Sequence, residues 1–177
     1  VGFIGSVSVH PYARGENHMK KLMAMAEEWM IGNGIDLGVL GGLRQRYQYF
    51  GYSKGGTSIG YGLTATNARH ALRDVDCSAI TIEKITDAAD ARLDAICDMH
   101  ASRPIHALRS RETFLDVACT WYNSLYAVMN DGVCCGYLIG ANGGNIAEIE
   151  LADAALYPQV FKQWLAQTGA EMANIVV

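Results

Sequence analysis

Arg14, Gly15, Glu16, Asn17 and His18 stand between a β-branched run, Val7-Ser8-Val9-His10-Pro11, and an apolar periodicity that opens near Met19. A strand ending at Pro11 and a helix starting a few residues later leave a short loop of backbone N–H groups without intrahelical partners. With the positive end of the helix dipole behind them, those groups attract anions before any side chain acts. Arg14 adds a planar, permanently charged fork for phosphate oxygens. Gly15 permits the positive φ and close backbone approach that such a loop needs. This spacing suits the seating of a pyrophosphate, and hence of a phosphorylated cofactor.

Elements must hold that loop in place. Met19, Leu22, Met23, Ala26 and Met30 recur at helical spacing, and Gly32-Asn33-Gly34 stops the helix. The run 35–40 reads as the next buried strand, which makes a parallel strand, helix, strand unit. Arg44 to Phe50 reads as one or two helical turns, 57–66 as a strand and 67–73 as a short helix. The polar link 74–78 is the expected boundary between a first part, 1–73, and a second, 79–177. In the second part, 79–85 reads as a strand, Asp87 as the cap of a helix running to about Ala101, and 113–121 as helical. Strands at 124–130, 133–140 and 145–151 follow, with Asp131-Gly132 and Asn142-Gly143-Gly144 as hairpin turns. A helix over 155–168 and a strand over 172–177 complete an α+β order. The strand-like residues at both ends read as cuts through structure, as in an internal piece of a longer chain.

Composition excludes several classes of function. The chain has 177 residues, half of them apolar, and a net charge of −4, so it lacks the broad basic field that nucleic-acid binding requires. No run of about 18 apolar residues offers a membrane span. The five cysteines form no Cys-x-x-Cys pair and no zinc-ligand spacing with histidine, so reduced, cytoplasmic thiols and no metal are expected. No Gly-x-Gly-x-x-Gly follows a strand, which removes a Rossmann-type nucleotide site. His10 is the candidate general base by the chemistry of its side chain, although before Pro11 it also suits a strand end. His18, His70, His100 and His106 show no paired spacing and read as surface or packing residues.

Residues 7–52 resemble the Gcn5-related N-acetyltransferases, and within them the tandem-domain branch that includes the mycobacterial enhanced intracellular survival acetyltransferases. Val-Ser-Val-His-Pro-Tyr-Ala-Arg-Gly at 7–15 is similar to the family's cofactor strand and the start of its acetyl-coenzyme A loop, Gln/Arg-x-x-Gly-x-Gly/Ala. Tyr47-Gln48-Tyr49-Phe50-Gly51-Tyr52 is similar to the branch's Tyr-x-x-Phe-Gly-Phe/Tyr signature. Read from Arg14, the loop motif's first glycine falls on Asn17, a residue that tolerates the left-handed conformation, and its last small position falls on Met19.

The resemblance implies a mixed sheet flanked by helices, with 1–73 as the back half of a catalytic domain and 79–177 as the front part of a second, degenerate one. It implies acetyl-coenzyme A as cosubstrate and a primary amine of a small molecule or peptide as acceptor, with homo-oligomers common in the branch. Val7 and Val9 would contribute their backbones to the pantetheine arm, and Arg14, Gly15, Glu16, Asn17, His18 and Met19 would surround the pyrophosphate. Lys20 and Lys21 are candidates for a peripheral phosphate. Tyr47 matches the general acid that protonates the departing thiolate, with Tyr49 and Tyr52 as competitors. The alternative is a binding or regulatory module that keeps the fold without efficient turnover, because Asn17 and Met19 replace small residues.

Overall fold

Two strands and one long helix organise the first fifty-seven residues. In a computed structural model, which describes residues 1–141 and 143–176, the chain divides into two units, Val1–Thr57 and Ser58–Val177. Asn142 of the expected 142–144 turn and Val177 of the expected last strand lie outside the described residues.

In the first unit, strand β1 (Gly2–Ile4) pairs in parallel with β2 (Gly38–Leu40), joined through helix α1 (His18–Gly32). A parallel strand, helix, strand crossover is thus present as expected, but its first strand is Gly2–Ile4 and not the 7–11 run. Gly2 stands opposite Gly38, and a β-carbon on Gly2 would lie 2.9 Å from the Met30 sulfur. The two glycines therefore make the smooth patch on which Met30, buried with Met23 on one face of α1, packs. Helix α2 (Arg44–Tyr47) and a 3₁₀ turn (Gln48–Phe50) follow, stopped by Gly51 at φ 81°.

One expectation fails here. The run Val7–Pro11 is not a paired strand: pairing ends at Ile4 with Leu40, and 5–10 carry no strand assignment. Ser6 takes φ 55°, which turns the chain out of the strand register. His10, Pro11 and the residues after them then form a 3₁₀ turn, Pro11–Ala13, with Pro at its first position.

The second unit is a six-stranded mixed sheet. Its strands are β3 (Gly60–Thr64), β4 (Ile80–Lys84), β5 (Ser124–Asn130), β6 (Val133–Gly140), β7 (Asn145–Leu151) and β8 (Met172–Val176), in the order β3-β8-β7-β6-β5-β4. All neighbours are antiparallel except β7 and β8, which are parallel over Asn145–Asn174 and Ile146–Ile175. Both faces are covered, so β5 reads as one apolar run whose residues alternate between two cores. Leu125, Ala127 and Met129 join Phe114, Leu93 and Ile96 from helices α4 (Arg92–Ala101) and α5 (Phe114–Ala118). Tyr126 and Val128 join Val160 and Trp164 of helix α6 (Tyr157–Thr168) on the other face. The Asp131-Gly132 turn has positive φ at both residues, as a tight hairpin demands.

The expected link at 74–78 is not where the units part. Residues 58–73 belong to the second unit, because β3 pairs along its whole length with β8 and helix α3 (Ala65–Ala71) follows it directly. The Lys162 ammonium on α6 donates to the carbonyls of Val75 at 2.7 Å and Arg73 at 3.3 Å, fastening the link to the sheet's own helix. Two helices are shorter than expected. Asp87 heads a turn, accepting from Ala89 N–H at 2.8 Å, and α4 starts only at Arg92. After α5 the chain breaks at Trp121, which has φ 56° inside a 3₁₀ turn.

Candidate functional site

The backbone leaving β1 supplies the first component of the site. From Gly5 to His10 the chain carries no strand pairing, so its peptide groups offer an edge that an extended ligand can pair with. Gly15 (φ 91°) and Asn17 (φ 60°, ψ 20°) then take the left-handed conformations that the loop requires. The asparagine thus performs the turn for which the motif uses glycine. No side chain caps α1, so the first-turn N–H groups keep their anion affinity.

These parts meet in one cavity of about 720 Å³. Val7, Val9, Arg14, Gly15, Asn17, His18 and Met19 line it, together with Lys20, Arg46, Tyr49 and Phe50. Glu16 is held at its edge by an exposed pair with His18, 3.0 Å between Oε2 and Nε2. Among the described residues, no carboxylate comes within 4 Å of Arg14, Lys20 or Arg46, so the wall keeps its positive charge. His10 is outside this wall; its Nδ1 accepts from the Tyr12 N–H at 3.4 Å, a turn-capping role.

The three tyrosines separate. Tyr47 is buried and lines a neighbouring cavity of about 740 Å³ with Tyr52, whereas Tyr49 lines the loop cavity and is exposed. Phe50 lines both cavities. Tyr47 is seated by Gly42: at φ 143° and with a hypothetical β-carbon 2.8 Å from the Tyr47 ring, no other residue fits. Sequence reading passed over Arg46 and Gly42. Arg46, Tyr49 and Phe50 are spaced i, i+3, i+4 on a helical segment, which is the signal that groups them on one side.

In the second unit, His100, read from sequence as surface or packing, is buried within a charged network. Its Nε2 donates to the Ala107 carbonyl at 2.8 Å, while Nδ1 lies 3.0 Å from both the Tyr137 hydroxyl and Glu148. Tyr137 donates a short bond to Glu148, and Arg103 (3.1 Å) and Arg109 (2.8 Å) donate to the same carboxylate. Burial alone would raise the Glu148 pKa, but the bonds from Tyr137 and Arg109 and the nearby cations outweigh it and hold the carboxyl low. Burial, reinforced by Glu148, pushes the Tyr137 phenol far up. The network ties the segment after α4 to β6 and β7.

The cysteines are free thiols. Cys134 and Cys135 face opposite cores, and burial pushes both thiols up, which leaves them poor nucleophiles. Among the described residues, no three His, Cys, Asp or Glu side chains converge as a metal cage, and no helix is long and apolar enough to cross a membrane.

No family model matches the sequence, and no curated protein is significantly similar to it. Solved structures do resemble the fold. A GCN5-related N-acetyltransferase from Kribbella flavida matches 99% of the chain at 15% identity with a TM-score of 0.69. A conserved protein of unknown function from Enterococcus faecalis V583, named a probable N-acyltransferase, matches 98% at 17% identity with a TM-score of 0.66. The chain spans 44% and 46% of those two proteins' lengths. At these identities the likeness shows the fold: the mixed sheet and flanking helices are those of the GCN5-related N-acetyltransferases.

Proposed function

We propose that this chain carries the acetyl-coenzyme A site of an N-acetyltransferase that modifies a primary amine of a small molecule or peptide. One observation carries the reading: an unpaired backbone, a left-handed loop and an uncapped helix N-terminus line a single cationic cavity. The residues fit the group. The unpaired backbone at 7–10 suits the amides of a pantetheine arm, and Arg14 with the loop N–H groups suits a pyrophosphate. The likeness to acetyltransferase folds supports the same reading.

Bound there, an acetyl thioester would supply its acetyl group to a neutral amine, whose own proton would pass to water. Tyr47, in the neighbouring cavity that shares Phe50 with the loop cavity, would donate a proton to the departing sulfur, and Gly42 fixes the ring from which it would do so. In this reading, the first unit is the back part of a catalytic domain of the tandem branch, working in the cytoplasm. The second unit is the front part of another such domain, with its charged network in a structural role.

The test uses the intact protein. Acetyl-coenzyme A should raise its Tm, and amines should release free thiol from acetyl-coenzyme A in its presence. Tyr47→Phe should lower turnover by about 10²-fold with little change in cofactor affinity. Absence of both the thermal shift and thiol release with every amine tried overturns the reading. Met19, half-buried in the cavity wall, favours a second reading, a binding module with an impaired loop. In that case Met19→Gly should tighten acetyl-coenzyme A binding by about tenfold or more without producing turnover.

A further inference from the structure

The cavity that holds Tyr47 carries charge of opposite sign at its two ends. Arg44 and Tyr47 face the same way from the single turn of α2, and the Tyr47 ring meets the backbone at Gly42, beyond the C-terminal end of β2. Asp36 stands just before β2, at the strand's other end. Glu27 stands one turn before Met30, whose methyl carbon would lie 3.2 Å from a β-carbon on Gly38, the first residue of β2. A rise of about 3.3 Å per residue separates Gly38 from Gly42 by up to about 13 Å. Met30, Ile35 and Leu40 give the cavity an apolar wall. Glu27, Asp36 and Arg44 are exposed, and among the described residues none has an opposite charge within 4 Å. Lys54 also lines the cavity, shortly after Tyr52, whose hydroxyl would lie 3.1 Å from the same Gly38 β-carbon. Even counted at that end, it leaves two carboxylates against one ammonium.

From this polarity we infer that the acceptor is a free α-amino acid with a cationic side chain. Arg44 binds its α-carboxylate through two parallel N–H donors, which holds the adjacent α-amine beside Tyr47, and Glu27 with Asp36 takes the distal cation. The methylenes between the charges lie along Met30, Ile35 and Leu40. The inference rests on the proposed acetyl transfer and narrows its acceptor. A peptide N-terminus has no free carboxylate beside its amine, and a polyamine has no carboxylate at all, so either would leave Arg44 without a partner. In the transfer, the neutral α-nitrogen forms a bond to the thioester carbonyl carbon and the carbon–sulfur bond breaks. The sulfur takes the Tyr47 proton, the nitrogen releases one to water, and Tyr47 regains its proton from solvent. Phe50 lines both cavities, so the acyl group crosses beside its ring.

The experiment compares L-arginine, L-citrulline and agmatine as acceptors, each with one primary amine at the same position. Citrulline lacks the distal charge, and agmatine lacks the carboxylate. With the intact protein and acetyl-coenzyme A, thiol release should give a kcat/KM for L-arginine about tenfold or more above that of either analogue. Glu27→Gln combined with Asp36→Asn should reduce the preference for arginine over citrulline to less than about twofold while the preference over agmatine stands. Arg44→Gln should do the reverse. All three side chains are exposed, so these substitutions leave the buried Met23, Met30 and Tyr47 in place. Equal kcat/KM for arginine and citrulline, or a preference that survives the double substitution, overturns the cation assignment. Equal kcat/KM for arginine and agmatine, or a preference that survives Arg44→Gln, overturns the carboxylate assignment. If no amine releases thiol, the proposed function fails and this inference with it; if other amines release it and L-arginine does not, only this inference fails.

Discussion

Asn17 shows how much a single backbone angle decides. Its φ of 60° lies where most side chains clash with their own carbonyl, and asparagine is among the few residues that accept it at low cost. Asn17→Ala should therefore destabilise the protein by about 1 kcal/mol, and Asn17→Gly should leave the melting temperature unchanged or slightly higher. Thermal denaturation of both variants checks this, and equal melting temperatures for Ala and Gly would mean that the turn carries no strain. The carboxylate of Glu148 is a different case, because it is the shared acceptor of Tyr137, Arg103 and Arg109. Glu148→Gln keeps the shape but removes the charge that compensates two guanidinium groups. It should lower stability by on the order of 3 kcal/mol in urea unfolding, a far larger effect than loss of a surface ion pair. Neither role is written in the sequence: Glu148 looks like any alternating polar residue of a strand, and His100 like a lone histidine. The left-handed turns at Gly15 and Asn17 were legible because glycine and asparagine have narrow conformational uses.

At the level of elements, legibility followed the strength of the local signal. The three strands of the central hairpins, β5, β6 and β7, fall where alternation and the Asp131-Gly132 turn place them. The extended run Val7–Pro11 looked equally strand-like, but strand status depends on a partner, and Ser6 turns the chain away before one is met. Likewise β3 joins the second unit through pairing with β8, a contact between residues more than a hundred positions apart that no local pattern reveals. The start of α4 was displaced because Asp90, and not Asp87, accepts from the helix: its Oδ1 takes the Arg92 N–H at 2.9 Å. The Arg92 guanidinium, which also donates to that carboxylate, holds the carboxyl down at about 2 against an ordinary 3.8. A carboxyl whose pKa is lower folded than unfolded stabilises fully above its unfolded value, and the contribution disappears as pH falls from about 4 towards 2. Glu148, also held low, acts in the same direction. Asp90→Asn should thus lose about 1–2 kcal/mol at pH 7, and the difference from wild type should vanish near pH 2 in urea titrations. A difference independent of pH would assign the loss to helix capping alone.

The two units differ in how much of their own stability they can supply. The first buries Met23, Met30 and Tyr47 but leaves Phe3, Met25, Trp29 and Ile31 largely exposed around a sheet of two short strands. A two-stranded sheet with a single long helix is below the size at which burial offsets the entropy of ordering the chain. The second unit has six strands covered on both faces. Trp164 is fully buried there, its indole N–H donating to the Gly144 carbonyl at 3.1 Å and its ring edge-on to Tyr126 at 5.1 Å. Expressed alone, residues 58–177 should unfold in one cooperative transition with a near-ultraviolet circular dichroism signal from the packed aromatics, and residues 1–57 should show neither. Trp164→Ala in the 58–177 fragment should cost about 3–5 kcal/mol, because the cavity it leaves lies between a helix and a rigid sheet that cannot close over it. A cooperative transition in 1–57, or a cost below about 1 kcal/mol for Trp164→Ala, would contradict this division of stability. If it holds, the loop proposed to bind acetyl-coenzyme A sits in the less stable unit, so binding of acetyl-coenzyme A should protect the amides of α1 from hydrogen exchange more than those of β5 and β6.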